Sequence, residues 1–150
     1  MANLVYGTNS SETINVLDGV TNGYDIIYGY GGNDSIHGLG GDDYIVGGTG
    51  ADALNGGTGS DTASYFTSAA GIVASLTASG DAEGDTYASI ENLVGSDYAD
   101  ALAGNDGFNS LSGLDGDDFL DGRDGETTCG AARATTRSKA EAVPTPSRAV

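Results

Sequence analysis

The chain has 150 residues, the length of one domain, with 26 glycines and no tryptophan. Its 22 acidic residues stand against five lysines and arginines, a net charge of −17. That balance excludes a nucleic-acid binder, which needs a basic face, and it is repelled by an anionic membrane surface; the partners it predicts are cations.

The opening MANLVYGTNSSE has neither the basic stretch nor the apolar core of a cleaved secretory signal. Residues 7–15, GTNSSETIN, read as a degenerate nine-residue unit with Glu12 at position six and Ile14 at position eight, so residues 1–19 are expected to form an N-terminal capping coil. Asp18 falls outside the frame. From residue 20 the nonapeptide becomes explicit: VTNGYDIIY (20–28), GYGGNDSIH (29–37), GLGGDDYIV (38–46), GGTGADALN (47–55) and GGTGSDTAS (56–64). Residues 65–94 interrupt it. Within them IVASLT alternates as a strand does, SGDAEGD reads as an acidic turn, and YASIENLVGS reads as a strand returning to the repeat, so the spacer continues the β-structure. Asp81, Glu83 and Asp85 read as a solvated loop in preference to a further metal site. A second block, 95–126, carries GSDYADALA, GNDGFNSLS and GLDGDDFLD, and a further unit starts at Gly122.

Composition then changes. Up to Glu126 there are 21 acids and one base, Arg123; beyond it lie the other four bases, both prolines and the single cysteine, Cys129. Residues 127–150 are read as a disordered tail. Back-translation with G or C at free third bases restores two near-consensus nonapeptides in a shifted frame, so the expectation is a frameshift near codon 126. One cysteine rules out an internal disulfide framework, and no apolar run is long enough to span a bilayer as a helix.

The repeat G-G-x-G-x-D-x-U-x, with U a large apolar residue, divides into a turn and a strand. Glycine reaches positive φ without steric cost, so positions one to six can turn tightly and aim carbonyls into one concavity, to which the aspartate adds a charged oxygen. Carbonyl and carboxylate oxygens suit calcium, which takes six to eight of them, and the repeat offers no thiolate or imidazole for zinc. In positions seven to nine alternation sends position eight to the opposite face from its neighbours. That position reads Ile27, Ile36, Ile45, Leu54, Ala63, Leu102, Leu111 and Leu120, an interior row for a flattened coil.

The sequence resembles the RTX family, the hemolysin-type calcium-binding repeats of secreted bacterial proteins. The resemblance implies an all-β fold, a parallel β-roll (a right-handed β-solenoid) in two repeat blocks with an irregular C-terminal tail. It also implies that like turns stack two nonapeptides apart, with Asp25 near Asp43, Asp34 near Asp52, Asp43 near Asp61 and Asp100 near Asp118. Several Ca2+ ions would sit between those turns. The candidate ligands are Asp25, Asp34, Asp43, Asp52, Asp61, Asp100 and Asp118, the uncharged and weaker Asn109, and the position-four glycines Gly32, Gly41, Gly50 and Gly59. So thin a core predicts folding coupled to the metal, reinforced by self-repulsion in the ion-free chain. The family further implies a monomeric, extracellular product exported by the type I secretion machinery, whose signal near the C-terminus a frameshifted chain would lack.

No catalytic group is expected. His37 at position nine reads as a surface residue, no H-E-x-x-H or G-x-S-x-G motif is present, and the position-five acids Asp42 and Asp117 read as solvated neighbours of the ligands. The primary reading is a calcium-binding module. Alternatives are the C-terminal appendage of a larger secreted protease, lipase or epimerase, and a structural or adhesive repeat of a surface layer. The start methionine and the cap-like first coil favour a free-standing repeat protein.

Overall fold

The computed structural model describes residues 2–77, 84–123 and 127–130. Their strands are β1 (Asn3–Tyr6), β2 (Thr13–Ile14), β3 (Asp25–Tyr28), β4 (Ser35–His37), β5 (Tyr44–Val46), β6 (Ala53–Asn55), β7 (Thr62–Ser64), β8 (Val73–Ser75), β9 (Thr86–Ala88), β10 (Asn92–Val94), β11 (Ala101–Ala103), β12 (Asn109–Ser112), β13 (Phe119–Asp121) and β14 (Thr127–Gly130). A single 3-10 turn, Val16–Asp18, is the one helical element among the described residues. Most strands are three residues long because each nonapeptide spends six residues on its turn.

All pairings are parallel. One sheet runs β1-β3-β5-β7-β10-β12-β14; the strands between go to a sheet β2-β4-β6-β9 and a sheet β13-β11-β8. The result is a β-solenoid of about seven coils. Within the blocks the register advances by two nonapeptides per coil: Ile27 pairs with Ile45 and that with Ala63, while Ile36 pairs with Leu54 and Leu102 with Leu120. The eight position-eight residues of the two blocks lie inside, none more than 1% exposed. They join Val5, Ile14, Ala74 and Leu93 in a single core, a file of one side chain per strand.

Two coils depart from the two-nonapeptide period. The first is lengthened by the 3-10 turn, so Asn3 pairs with Asp25, further along the chain than two repeats would reach. The spacer lengthens the coil between β7 and β10 still more, so that Thr62 pairs with Asn92. It contributes β8 as the edge of the three-stranded sheet and β9 as the edge of the four-stranded one. It is thus part of the solenoid. The stretch YASIENLVGS forms two strands where one was expected, because Ser89 turns into the left-handed region (φ 49) between β9 and β10. Of the 127–150 segment, residues 127–130 form β14 and extend the seven-stranded sheet, a departure from the disordered tail expected there. They keep the nine-residue register: Cys129 pairs with Leu111 and takes position eight, partly buried against the core. The frameshift expectation for residues 131–150 lies outside the described residues.

Close stacking makes some glycines obligatory. Gly50 (φ 126) and Gly59 (φ 139) are left-handed, and a methyl group on either would overlap the carbonyl oxygen of Gly32 or Gly41 in the preceding coil. We expect Gly50→Ala and Gly59→Ala each to destabilise the calcium-loaded fold by about 2 kcal/mol or more, from backbone strain plus the clash. Gly23→Ala, whose methyl meets only Thr21 Oγ1 at 3.7 Å, should stay within about 0.5 kcal/mol. Urea unfolding in saturating calcium measures both.

Candidate metal centre

Each position-six aspartate stands where its turn becomes a strand, at the same height as the position-six residue of the coil before. From Asp34 on, its Oδ1 accepts that residue's backbone N–H; Asp25 Oδ1 instead accepts the Asn3 side-chain amide at 2.6 Å. The Asp25 amide donates to Asp43, Asp34 to Asp52 and Asp43 to Asp61, each at 2.8 Å, and Asp100 donates to Asp118 at 3.0 Å. The ladder continues past the consensus repeats. Glu12 N–H donates to Asp34 Oδ1 (2.9 Å), Asp52 N–H to Asp85 Oδ1 (2.7 Å), Asp61 N–H to Glu91 Oε2 (2.9 Å) and Ile72 N–H to Asp100 Oδ1 (2.8 Å).

The second oxygen distinguishes two kinds of seat. In Asp34, Asp43, Asp61 and Asp118 the Oδ2 is buried and has no hydrogen-bond partner among the described residues. It lies against the position-one glycine of its own turn: Gly29, Gly38, Gly56 and Gly113 respectively. On Gly29 and Gly38 the same spot is also flanked by a carbonyl oxygen of the next coil, from Gly47 and Gly56. The missing Cβ leaves a cradle lined by a carboxylate and a carbonyl oxygen.

In Asp25, Asp100 and Asn109 the equivalent oxygen is closed by the turn itself. Thr21 N–H and Oγ donate to Asp25 Oδ2 (2.9 and 3.0 Å). Ser96 N–H donates to Asp100 Oδ2 (2.7 Å) and its Oγ to Oδ1 (2.8 Å). Asn105 N–H donates to Asn109 Oδ1 (2.8 Å), whose amide nitrogen donates to Glu91 O (2.9 Å). The backbone at position two decides between the two. Tyr30, Leu39, Gly57 and Leu114 are left-handed (φ 74, 74, 102 and 60), which turns their amides away from Asp34, Asp43, Asp61 and Asp118. Thr21, Ser96 and Asn105 are not left-handed, and their amides reach the side chain. Gly48, at position two of the Asp52 turn, is left-handed as well (φ 105).

Electrostatics follow from burial. Burial pushes the Asp43 carboxyl up to about 6; the Asp25 N–H opposes this, and the charges of Asp61, Asp25 and Asp42 add to it. Asp34, Asp61 and Asp118 are also raised, again first by burial. Arg123 is the one lysine or arginine among the described residues. No set of three His, Cys, Asp or Glu side chains converges among those residues. A cation held here therefore takes most of its ligands from backbone carbonyls, with carboxylate for charge. That donor set fits calcium.

The family description of the RTX calcium-binding nonapeptide repeat matches residues 20–45, 28–63 and 94–128. The chain belongs to this family. A comparison with curated proteins gives no match. RTX repeats bind Ca2+, several ions per array, on a β-roll.

The predicted RTX aspartates thus stand in separate files, Asp25–Asp43–Asp61, Asp34–Asp52 and Asp100–Asp118, and they are not equivalent. Gly32, Gly41, Gly50 and Gly59 supply the second left-handed residue of each turn. Asp42 and Asp117 are exposed at position five, and Asp42 accepts Ser60 N–H from the next coil (2.9 Å). Asp85, read as part of a solvated loop, is 1% exposed and accepts from Tyr65 OH at 2.8 Å; Asp81 and Glu83 lie outside the described residues. Sequence reasoning misses Glu91 as a ladder member. Its signal is that Glu91 and Leu93 are six and eight in a frame counted back from Gly95.

A raised carboxyl pKa in the folded state means protonation favours the folded, ion-free chain. Its contribution is in place below the ordinary value of 3.8 and lost as pH rises through about 6. In chelator, β-content by circular dichroism should therefore increase as pH falls from 7 to 4. At fixed subsaturating calcium, bound ion measured by dialysis should decrease over the same window.

Proposed function

We propose that the chain is a calcium-switched folding module of a secreted bacterial protein, monomeric, and exported in its intact parent by the type I machinery. The observation that carries this is the row of buried carboxylate oxygens without a donor. An ion-free solenoid must bury them either charged, at a large desolvation cost, or protonated. In calcium-poor surroundings the acidic chain stays unfolded, suited to passage through a secretion channel; in calcium-rich surroundings the ions replace the missing donors and the coils close. The repeat array is structural, and its chemistry is ion holding.

Within the array, Asp34, Asp43, Asp52, Asp61 and Asp118 act as the carboxylate ligands, with the carbonyls of Gly47 and Gly56 beside Asp34 and Asp43. Asp25, Asp100 and Asn109, already closed by Thr21, Ser96 and Asn105, contribute mainly to register. The position-four glycines shape the concavity. The two blocks 20–64 and 95–126 carry the ions, and the first coil caps the array.

Far-UV circular dichroism during calcium titration, with magnesium as control, tests the switch: a coil-to-β transition with calcium alone is expected. A spectrum already β-rich in chelator at pH 7 and unmoved by calcium would defeat it. Asp43→Asn should weaken calcium on the order of tenfold or more, because it removes a ligand charge. Asp25→Asn, at a carboxylate that Thr21 already closes, removes no ligand charge and should change it by less than about threefold.

A further inference from the structure

The return from spacer to block is the shortest turn among the described residues. Ala88 ends β9 and Asn92 opens β10, leaving Ser89, Ile90 and Glu91 where the turns inside the repeat blocks have five or six residues. These three residues lie between the segments matched by the RTX repeat, 28–63 and 94–128. They nevertheless rebuild the features of an open seat. The Ser89 carbonyl oxygen comes against Gly56, on the spot that the carbonyls of Gly47 and Gly56 occupy over Gly29 and Gly38. Asp61 Oδ2 flanks the same glycine; Asp61 is 0% exposed and this oxygen is without a partner among the described residues. Ser89 holds a left-handed φ of 49. Glu91 takes the position-six place, its Oε2 accepting Asp61 N–H at 2.9 Å, and its additional methylene makes up reach in the shortened turn.

We propose that Asp61, Ser89 and Glu91 form a further calcium seat that fastens the spacer's return strand β10 beneath β7. The proposal rests on the reading that open carboxylates of this ladder hold calcium. The chemistry asks for a hard cation. The fully buried Asp61 carboxylate and the Ser89 carbonyl oxygen converge on the Gly56 cradle, and the Glu91 carboxylate of the next coil is bonded to the Asp61 amide. The one lysine or arginine among the described residues, Arg123, precedes β14, two strands further along the sheet than β10. The consequence is mechanical: β10 pairs with both β7 and β12, so an ion here joins the two repeat blocks across the spacer.

The test compares the full-length wild-type chain with Glu91→Gln, which keeps the acceptor for Asp61 N–H but removes the charge, and with Ser89→Gly, which keeps the carbonyl and relieves the left-handed strain. Calcium stoichiometry by equilibrium dialysis is read together with calcium-dependent hydrogen exchange of 44–46 and 92–94. Expected is one ion fewer for Glu91→Gln, with protection lost at 92–94 and kept at 44–46, and full stoichiometry for Ser89→Gly. Unchanged stoichiometry in Glu91→Gln overturns the seat alone. Loss of every ion, with 44–46 also unprotected, overturns it as well, since Glu91 would then support folding generally. A wild-type chain that binds no calcium overturns the seat together with the reading beneath it.

Discussion

One hydrogen bond sets the geometry on which the other features depend: the carboxylate of one coil accepting the backbone N–H at the same position of the coil before. It fixes the axial register, because a slip by one residue would place a different side chain at the turn and send the position-eight residue to the outer face. It also consumes one oxygen of each carboxylate and buries the other. In a solenoid whose interior is one file of side chains, that second oxygen cannot retreat to water without opening the coil. A buried carboxylate without a donor is among the costliest groups to leave alone, so the same bond that orders the coils creates their need for a cation.

This coupling explains why glycine is concentrated where it is. At Gly29 and Gly38 position one must lack a Cβ because the carboxylate oxygen and the neighbouring coil's carbonyl share its space. Position four is left-handed in the open seats, at Gly32, Gly41, Gly50, Gly59 and Gly116, and not at Gly23, Tyr98 or Gly107 of the closed ones. Position two is left-handed too in the open seats, yet at Tyr30, Leu39 and Leu114 the chain bears that conformation with a side chain, at a cost of about 1 kcal/mol each. The strain is tolerated where it keeps an amide away from a carboxylate.

Much of this was legible in the sequence. The nine-residue period gave the strands and the interior row, since side-chain alternation and a repeated turn leave few alternatives; the two-unit stacking step came from the resemblance to the RTX family. What stayed hidden has three physical origins. Insertions break the arithmetic: Asp85 bonds to Asp52 and Glu91 to Asp61 across separations longer than two repeats and unequal to each other, so no fixed spacing points to them. Composition misleads at a boundary: Cys129 and its neighbours look foreign beside the acidic repeat, yet a small, moderately apolar residue at position eight is all the interior file requires. And equivalence was assumed where a backbone angle decides. Asp25 and Asp43 share a position in the repeat, but only the structure shows that Thr21 turns its amide toward one while Leu39 turns its amide away from the other.

That last distinction gives the array its internal logic. A buried carboxylate can be satisfied by donors from its own turn or by a cation, and the chain uses both. Donors close Asp25 and Asp100, the first position-six aspartate of each block, where a hydroxyl residue at position two supplies both an amide and an O–H. They also act inside the spacer, where Tyr65 reaches Asp85. Open oxygens occupy the interior of the blocks. A block therefore starts at a coil that can hold its shape without metal, and each following coil is added onto an existing surface that already presents the amide its carboxylate needs. Under the proposed switch, nucleation would fall on the hydrogen-bonded coils and ion dependence on the propagated ones, so that the first coil need not wait for an ion.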